Sequence, residues 1–200
     1  YGAIRQFADI EVQHQLERLL ELGLVERVVP VTEDPLRTKQ VVYRIADNFL
    51  SFWFHFIYRR RADIERGLGR DVVDRAVLPG LAGYIGPRWE EMCRQLVRRK
   101  AARDELPVRV SSVGNWWNRD SSVEIDVVGM RGGEIVLAGS AKWTSSIDSR
   151  ELNRLRKAVL SMPRVAADVV LALFARDEVR GVAAGEALTF VARDFFSLAG

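Results

Sequence analysis

Cysteine and histidine are nearly missing from this 200-residue chain: Cys93 stands alone, and His14 and His55 are the only histidines. One cysteine forms no internal disulfide and no cysteine zinc site, and two histidines exclude a histidine-rich metal centre. No apolar run approaches the roughly 20 residues needed to cross a membrane. The chain opens on Tyr1 without the basic start and apolar stretch of a signal peptide. The expectation is therefore a piece of a longer chain working in a reducing cytoplasm, with no membrane partner. A Gly-rich loop ending in Lys-Ser or Lys-Thr is also absent, so no ATP-binding P-loop lies within these residues. Internal repeats and low-complexity segments are missing too.

What is present is ordinary for a globular protein: 48% apolar and 28% charged residues. The length suffices for one medium domain or two small ones. The net charge is only +3, but the arginines cluster. Arg59, Arg60 and Arg61 form one group; Arg94, Arg98, Arg99, Lys100 and Arg103 form another. Such patches suit phosphate, which makes DNA a candidate partner. A solvated helix face explains the same residues equally well.

Along the chain, Ile10, Leu16, Leu19, Leu20 and Leu24 recur near helical spacing, and Gly23 reads as a C-cap. "LVERVVPV" and "KQVVYRI" read as strands joined by the polar "TEDPLRT". Helix, Gly and two strands make the back half of a winged helix, the module of residues 1–46. Its helix carries Glu11, Glu17 and Glu21 against Arg18, a poor phosphate reader, so protein contact is favoured over DNA reading. A helical linker follows over 47–85. Asp47 is its N-cap, Phe49, Leu50, Trp53, Phe54, Phe56 and Ile57 make a wide apolar helix, Gly67 and Gly69 end it, and Pro79-Gly80 punctuates a connector. From Gly86 the order is helix, three strands, helix, strand and one strand more: "PRWEEMCRQLVRRKAARDEL", "PVRVSSV", "SSVEIDVVGM", "EIVLAGSAKW", "SRELNRLRKAVLSM" with Ser149 as N-cap, "ADVVLALFA" and "ALTFVARDFF". The fold class is α/β in the α+β sense, with helices against a mixed sheet. Trp116 and Trp117 are read as covering a sheet edge in preference to stacking on bases, and Trp143 as core.

The chemistry concentrates on two strands. Val123, Ile125 and Val127 share one face by alternation, which leaves Glu124 and Asp126 on the other. Ser140 and Lys142 point the same way on the next strand, and the Gly132-Gly133 turn makes the two a hairpin. Paired carboxylates repel unless a cation lies between them, and oxygen ligands suit Mg²⁺. A lysine beside them can orient a metal-bound water or stabilise charge on a phosphate. The same acid and lysine across a hairpin are also an ordinary cross-strand ion pair.

These elements, with "EIDVV" and "GSAKW", resemble the PD-(D/E)xK nuclease-like superfamily. The whole chain resembles more specifically the C-terminal region of archaeal-type ATPases, through "GLVERVVPV", "YRIADNFLSFWFHFIY", "GPRWEEMCRQLV" and "VEIDVVGM" followed by "IVLAGSAKW". That resemblance implies a P-loop ATPase domain upstream, then a winged helix, then over 86–200 a restriction-endonuclease-like domain. It implies Asp126 as the strand aspartate, Lys142 as the motif lysine and Glu90 as the helix glutamate of a Mg²⁺ site. Ser140 departs from the pattern, since such proteins carry "GECKW" where this chain has "GSAKW". Glu124 is the substitute carboxylate on its own strand.

Three expectations follow. The first is a nucleic-acid-binding module with degraded or no cleavage, using Arg94, Arg98, Arg99, Lys100 and Arg103. The second is an active Mg²⁺-dependent endonuclease with Asp126, Glu124, Glu90 and Lys142 as its catalytic set. The third is a regulatory module docking on the ATPase domain or on a second copy of the chain.

Overall fold

A computed structural model describes residues 10–196. Residues 1–9 of the winged-helix reading and 197–200 of the last domain lie outside it. The chain forms two compact units: the chain up to Val28 with Val41–Leu81, and Val29–Gln40 with Ala82 onward. Among the described residues, no helix is long and apolar enough to cross a membrane.

In the first unit, α1 (Ile10–Glu21) ends at Gly23, whose φ of +66° is open to glycine at no steric cost. The Leu24 amide reaches back to the Leu19 carbonyl at 3.0 Å and the Gly23 amide to Leu20, which closes the helix end. Strands β1 (Val25–Val28) and β2 (Val42–Ile45) pair antiparallel, with Val25 opposite Ile45. Asp47 caps α2 (Asn48–Phe52) by accepting from the Leu50 amide at 2.7 Å. The aromatic run then departs from a plain α-helix. It continues as a π turn over Trp53–Ile57 and a 3₁₀ turn over Tyr58–Arg60 before α3 (Arg61–Glu65). Only Phe56 of the run is buried, while Phe49 and Phe54 stay exposed.

Two boundaries differ from expectation. Gly67 ends its helix as read, but Gly69 opens the next one, α4 (Gly69–Val72). A π turn over Val73–Val77 then leads directly into α5 (Leu78–Ala102), a 25-residue helix that runs through Pro79-Gly80 and Pro87. Gly80 is there for close approach: a Cβ would lie 2.8 Å from the Phe56 ring. Pro87 removes a backbone bond to Gly83, and both residues are exposed, so the freed carbonyl is open to solvent.

The second unit is a mixed five-stranded sheet, as the sequence pattern implied. Its order is β3 (Ser112–Trp117), β4 (Glu124–Arg131), β5 (Glu134–Lys142), β7 (Val165–Ala175) and β9 (Leu188–Val191). The first three strands pair antiparallel and the last three parallel. The Gly132-Gly133 turn has φ of +58° and +86°, the two-residue hairpin geometry that favours glycine twice. A short parallel pair, β6 (Ser146–Asp148) with β8 (Glu178–Arg180), was not legible from the sequence. β3 begins later than "PVRVSSV" suggests and takes in Trp116 and Trp117, both buried. Only the first part of "ALTFVARDFF" is strand; Ala192–Phe195 is a 3₁₀ turn.

Helices cover both faces of the sheet. On one, Leu152, Leu155 and Val159 of α6 (Ser149–Val159) pack with Trp116, Ile125, Val128 and Leu173. On the other, Trp89, Cys93, Leu96 and Val97 of α5 pack with Val127, Leu137, Ala172 and Phe174. Asp148, rather than Ser149, caps α6, accepting from the Arg150 amide at 2.9 Å. Cys93 is fully buried, and burial pushes its thiol pKa up, so the single cysteine is packing material. Trp143 is half-buried, its ring 5.3 Å from that of Trp89.

Candidate functional site

Asp126 owes its setting to a break in strand register. Gly114 of β3 faces Val128 and Trp116 faces Ile125, so Asn115 alone stands opposite both Asp126 and Val127. This extra residue is a bulge, a device that re-aims side chains. It also breaks the expected alternation: Ile125 packs toward α6 and Val127 toward α5. The pairing of Val127 with Gly139 puts Ser140 across from Asp126.

The carboxylate is gripped on one oxygen. Asp126 Oδ2 accepts from the Ala141 amide at 2.8 Å and from Lys142 Nζ at 3.1 Å. Ser140 Oγ lies 3.4 Å from the same oxygen and 2.7 Å from Glu151 Oε1 on α6. A hydroxyl has one proton, and the shorter contact takes it, so Ser140 donates to Glu151. Glu151 also receives Arg154 at 3.2 Å. Both carboxylates are only 12% exposed. Burial alone would lower the Lys142 pKa, but Asp126, with Glu151 and Glu90 behind it, outweighs that and raises it. Lys142 is therefore a resident cation. Glu124 is exposed but lines the same cavity of about 90 Å³ as Asp126, Ser140, Lys142, Glu151 and Arg154.

Glu90, on α5, is half-buried. Burial first, and the charge of Asp126 second, push its pKa up to about 7. Its neighbour Arg94 is 2% exposed and anchors the helix to the site strand. Arg94 Nη1 donates to the Asp126 carbonyl at 2.7 Å and Nε to Glu91 at 2.9 Å. Burial raises the Glu91 pKa, but Arg98 and Arg94 overcome it and hold the carboxyl low.

The five basic residues read as one patch thus divide. Arg94 is inside. Arg98 pairs with Glu91 at 2.8 Å and bonds the Val113 carbonyl. Lys100 pairs with Glu105 at 3.0 Å, and Arg103 approaches the same carboxylate at 3.9 Å. Arg99 is exposed, with no ion pair among the described residues.

These residues do not fit a three-carboxylate Mg²⁺ site. Among the described residues, no three His, Cys, Asp or Glu side chains gather closely enough to hold a metal ion. A serine stands between Asp126 and Glu151, and the Asp126 oxygen facing it already serves an amide and an ammonium. The arrangement is an ion-pair network in which Lys142, paired with Asp126, is the partly exposed member.

Glu151 and Arg154 were missed in the sequence. Glu151 lies four residues before Leu155 and seven before Ala158, on the inward stripe of α6, and a charge on such a stripe was the available signal.

The fold and this network define an α+β protein with a lysine-paired carboxylate pocket on a bulged hairpin. The chain belongs to the DUF234 family of archaeal and bacterial proteins of unknown function, whose match covers residues 53–155 and so includes Glu90, Asp126, Ser140, Lys142 and Glu151. It is similar to an uncharacterized protein of Methanocaldococcus jannaschii, 25% identical over 150 residues. That match takes in 74% of this chain, which spans only 33% of the archaeal protein. No solved structure matches the chain.

Proposed function

We propose that this chain is the C-terminal module of a multidomain P-loop ATPase, and that its sheet is a nuclease-like domain that binds nucleic acid without cleaving it. The observation that carries this reading is the Asp126–Lys142 pair at 3.1 Å with Ser140, a neutral residue, where the motif acid belongs. The aspartate and lysine of the resemblance meet across one hairpin, yet the third carboxylate that would complete a metal cage is replaced. Losing one of three acidic ligands weakens divalent-cation binding strongly. Lys142 meanwhile keeps the Asp126 carboxylate satisfied without a metal. The unmatched two-thirds of the archaeal relative leaves room for an ATPase domain.

Calorimetry with Mg²⁺ and Mn²⁺ tests the loss of cleavage. The wild-type chain should bind neither ion at micromolar concentration and should leave plasmid DNA uncut. Ser140→Glu should gain binding, and its melting temperature, lowered by three crowded carboxylates, should recover when Mg²⁺ is added. Micromolar binding by the wild type that disappears in Asp126→Ala, with cutting that disappears in Lys142→Ala, would establish the active endonuclease instead.

A further inference from the structure

Beside the Asp126 pocket lies a larger cavity of about 540 Å³, built by the end of β5, by β6, by the first turns of α6 and by β8. Its charged lining is Lys142, Arg150, Arg154 and Arg180 against Asp148 and Glu151. Lys142, Glu151 and Arg154 line both spaces, so the two are adjacent at the site. The three arginine side chains are 83%, 76% and 67% exposed in that order. Each rests on a near neighbour in sequence: Arg150 on Asp148, Arg154 on Glu151 and Arg180 on Glu178. The Arg180–Glu178 pair is a single exposed contact of the kind that contributes little, while Arg150 holds Asp148 through two nitrogens and Arg154 rests on the largely buried Glu151.

We infer that this cavity seats the phosphodiester backbone of the nucleic acid, with Arg150 and Arg180 as its outer phosphate contacts and Lys142 as the contact nearest Asp126. The inference rests on the nucleic-acid reading above and says where on the molecule it operates. Guanidinium forks match phosphate oxygens two at a time, so a concave wall of three arginines holds a chain of phosphates better than one convex helix does. Cations of both places carry ion pairs, so shape decides: in the α5 cluster Arg94 is buried and Arg98, Arg99, Lys100 and Arg103 lie along one helix and its C-terminal end, whereas the cavity gathers its cations around a single concavity. Phosphates in the cavity would also approach the pocket mouth, where a nuclease-like site needs them.

The test is fluorescence anisotropy of a labelled DNA duplex with the 200-residue chain over a salt series. Three proteins are compared: wild type, Arg150→Ala with Arg180→Ala, and Arg99→Ala with Arg103→Ala. Each lost phosphate contact removes about 0.9 from the slope of log affinity against log salt. The cavity variant should therefore bind roughly 10-fold or more weakly at ~0.1 M salt and lose about 2 from that slope. The α5 variant should bind within about 2-fold of wild type. A cavity variant that binds like wild type overturns the inference and leaves the nucleic-acid reading standing. A wild-type chain that binds no duplex even at low salt overturns both.

Discussion

Asp126 accepts from an amide and a lysine, while Glu90 shares its field and receives no such support. That asymmetry separates the two acids. Burial and the Asp126 charge raise the Glu90 pKa from 4.5 to about 7. In the unfolded chain the proton leaves near 4.5, so between these values the folded state holds more protons and stability falls as pH rises. The contribution is full below about pH 4.5 and lost by about pH 7. Glu90→Gln removes the dependence: its melting temperature should gain on wild type steadily as pH rises across that window, and thermal melts at several pH values check this. A constant difference would mean that Glu90 titrates normally. At this scale the sequence was informative about Asp126, Lys142 and the oddity of Ser140, because motif spacing on a hairpin fixes which side chains meet. It was silent about Glu151, which lies nine residues beyond Lys142 in sequence and arrives only because α6 packs on the sheet.

At the scale of elements, the hairpin and the helix before it share an apolar core and are also joined by one buried guanidinium. Arg94 joins α5 to the Asp126 carbonyl and to Glu91, so it belongs to the architecture of the site. Arg94→Met should cost about 2–4 kcal/mol, because it strands a buried carbonyl and weakens the hold on Glu91. Urea unfolding measures this, and a loss below about 1 kcal/mol would show the carbonyl finding water. Periodicity could not reveal this role, since Arg94 lies in a run of basic residues that read equally as a phosphate patch or a solvated face. Periodicity also missed the β4 bulge, because one extra residue against Asn115 leaves no mark on composition. It did find the hairpin strands, the Gly132-Gly133 turn and the Asp47 cap, each of which depends on local chemistry. Pro79, Gly80 and Pro87 misled it, since the helix carries all three where the freed backbone is exposed or a ring needs the space.

At the scale of the whole molecule, a net charge of +3 gives little nonspecific attraction, so any affinity for a polyanion must come from where the cations sit. The cavity of Lys142, Arg150, Arg154 and Arg180 supplies that concentration beside a pocket that already contains its own cation. Family membership leaves the activity open, and the long archaeal relative sets this chain in a larger protein's frame only as a proposal. The central claim is therefore binding without a metal. It is tested most directly by titrating a labelled DNA duplex with the chain in excess EDTA and again in Mg²⁺, across salt. The account predicts the same affinity in both buffers, after matching ionic strength, and a steep fall with added salt. Binding that appears only with Mg²⁺, or no binding in EDTA at low salt, would contradict it.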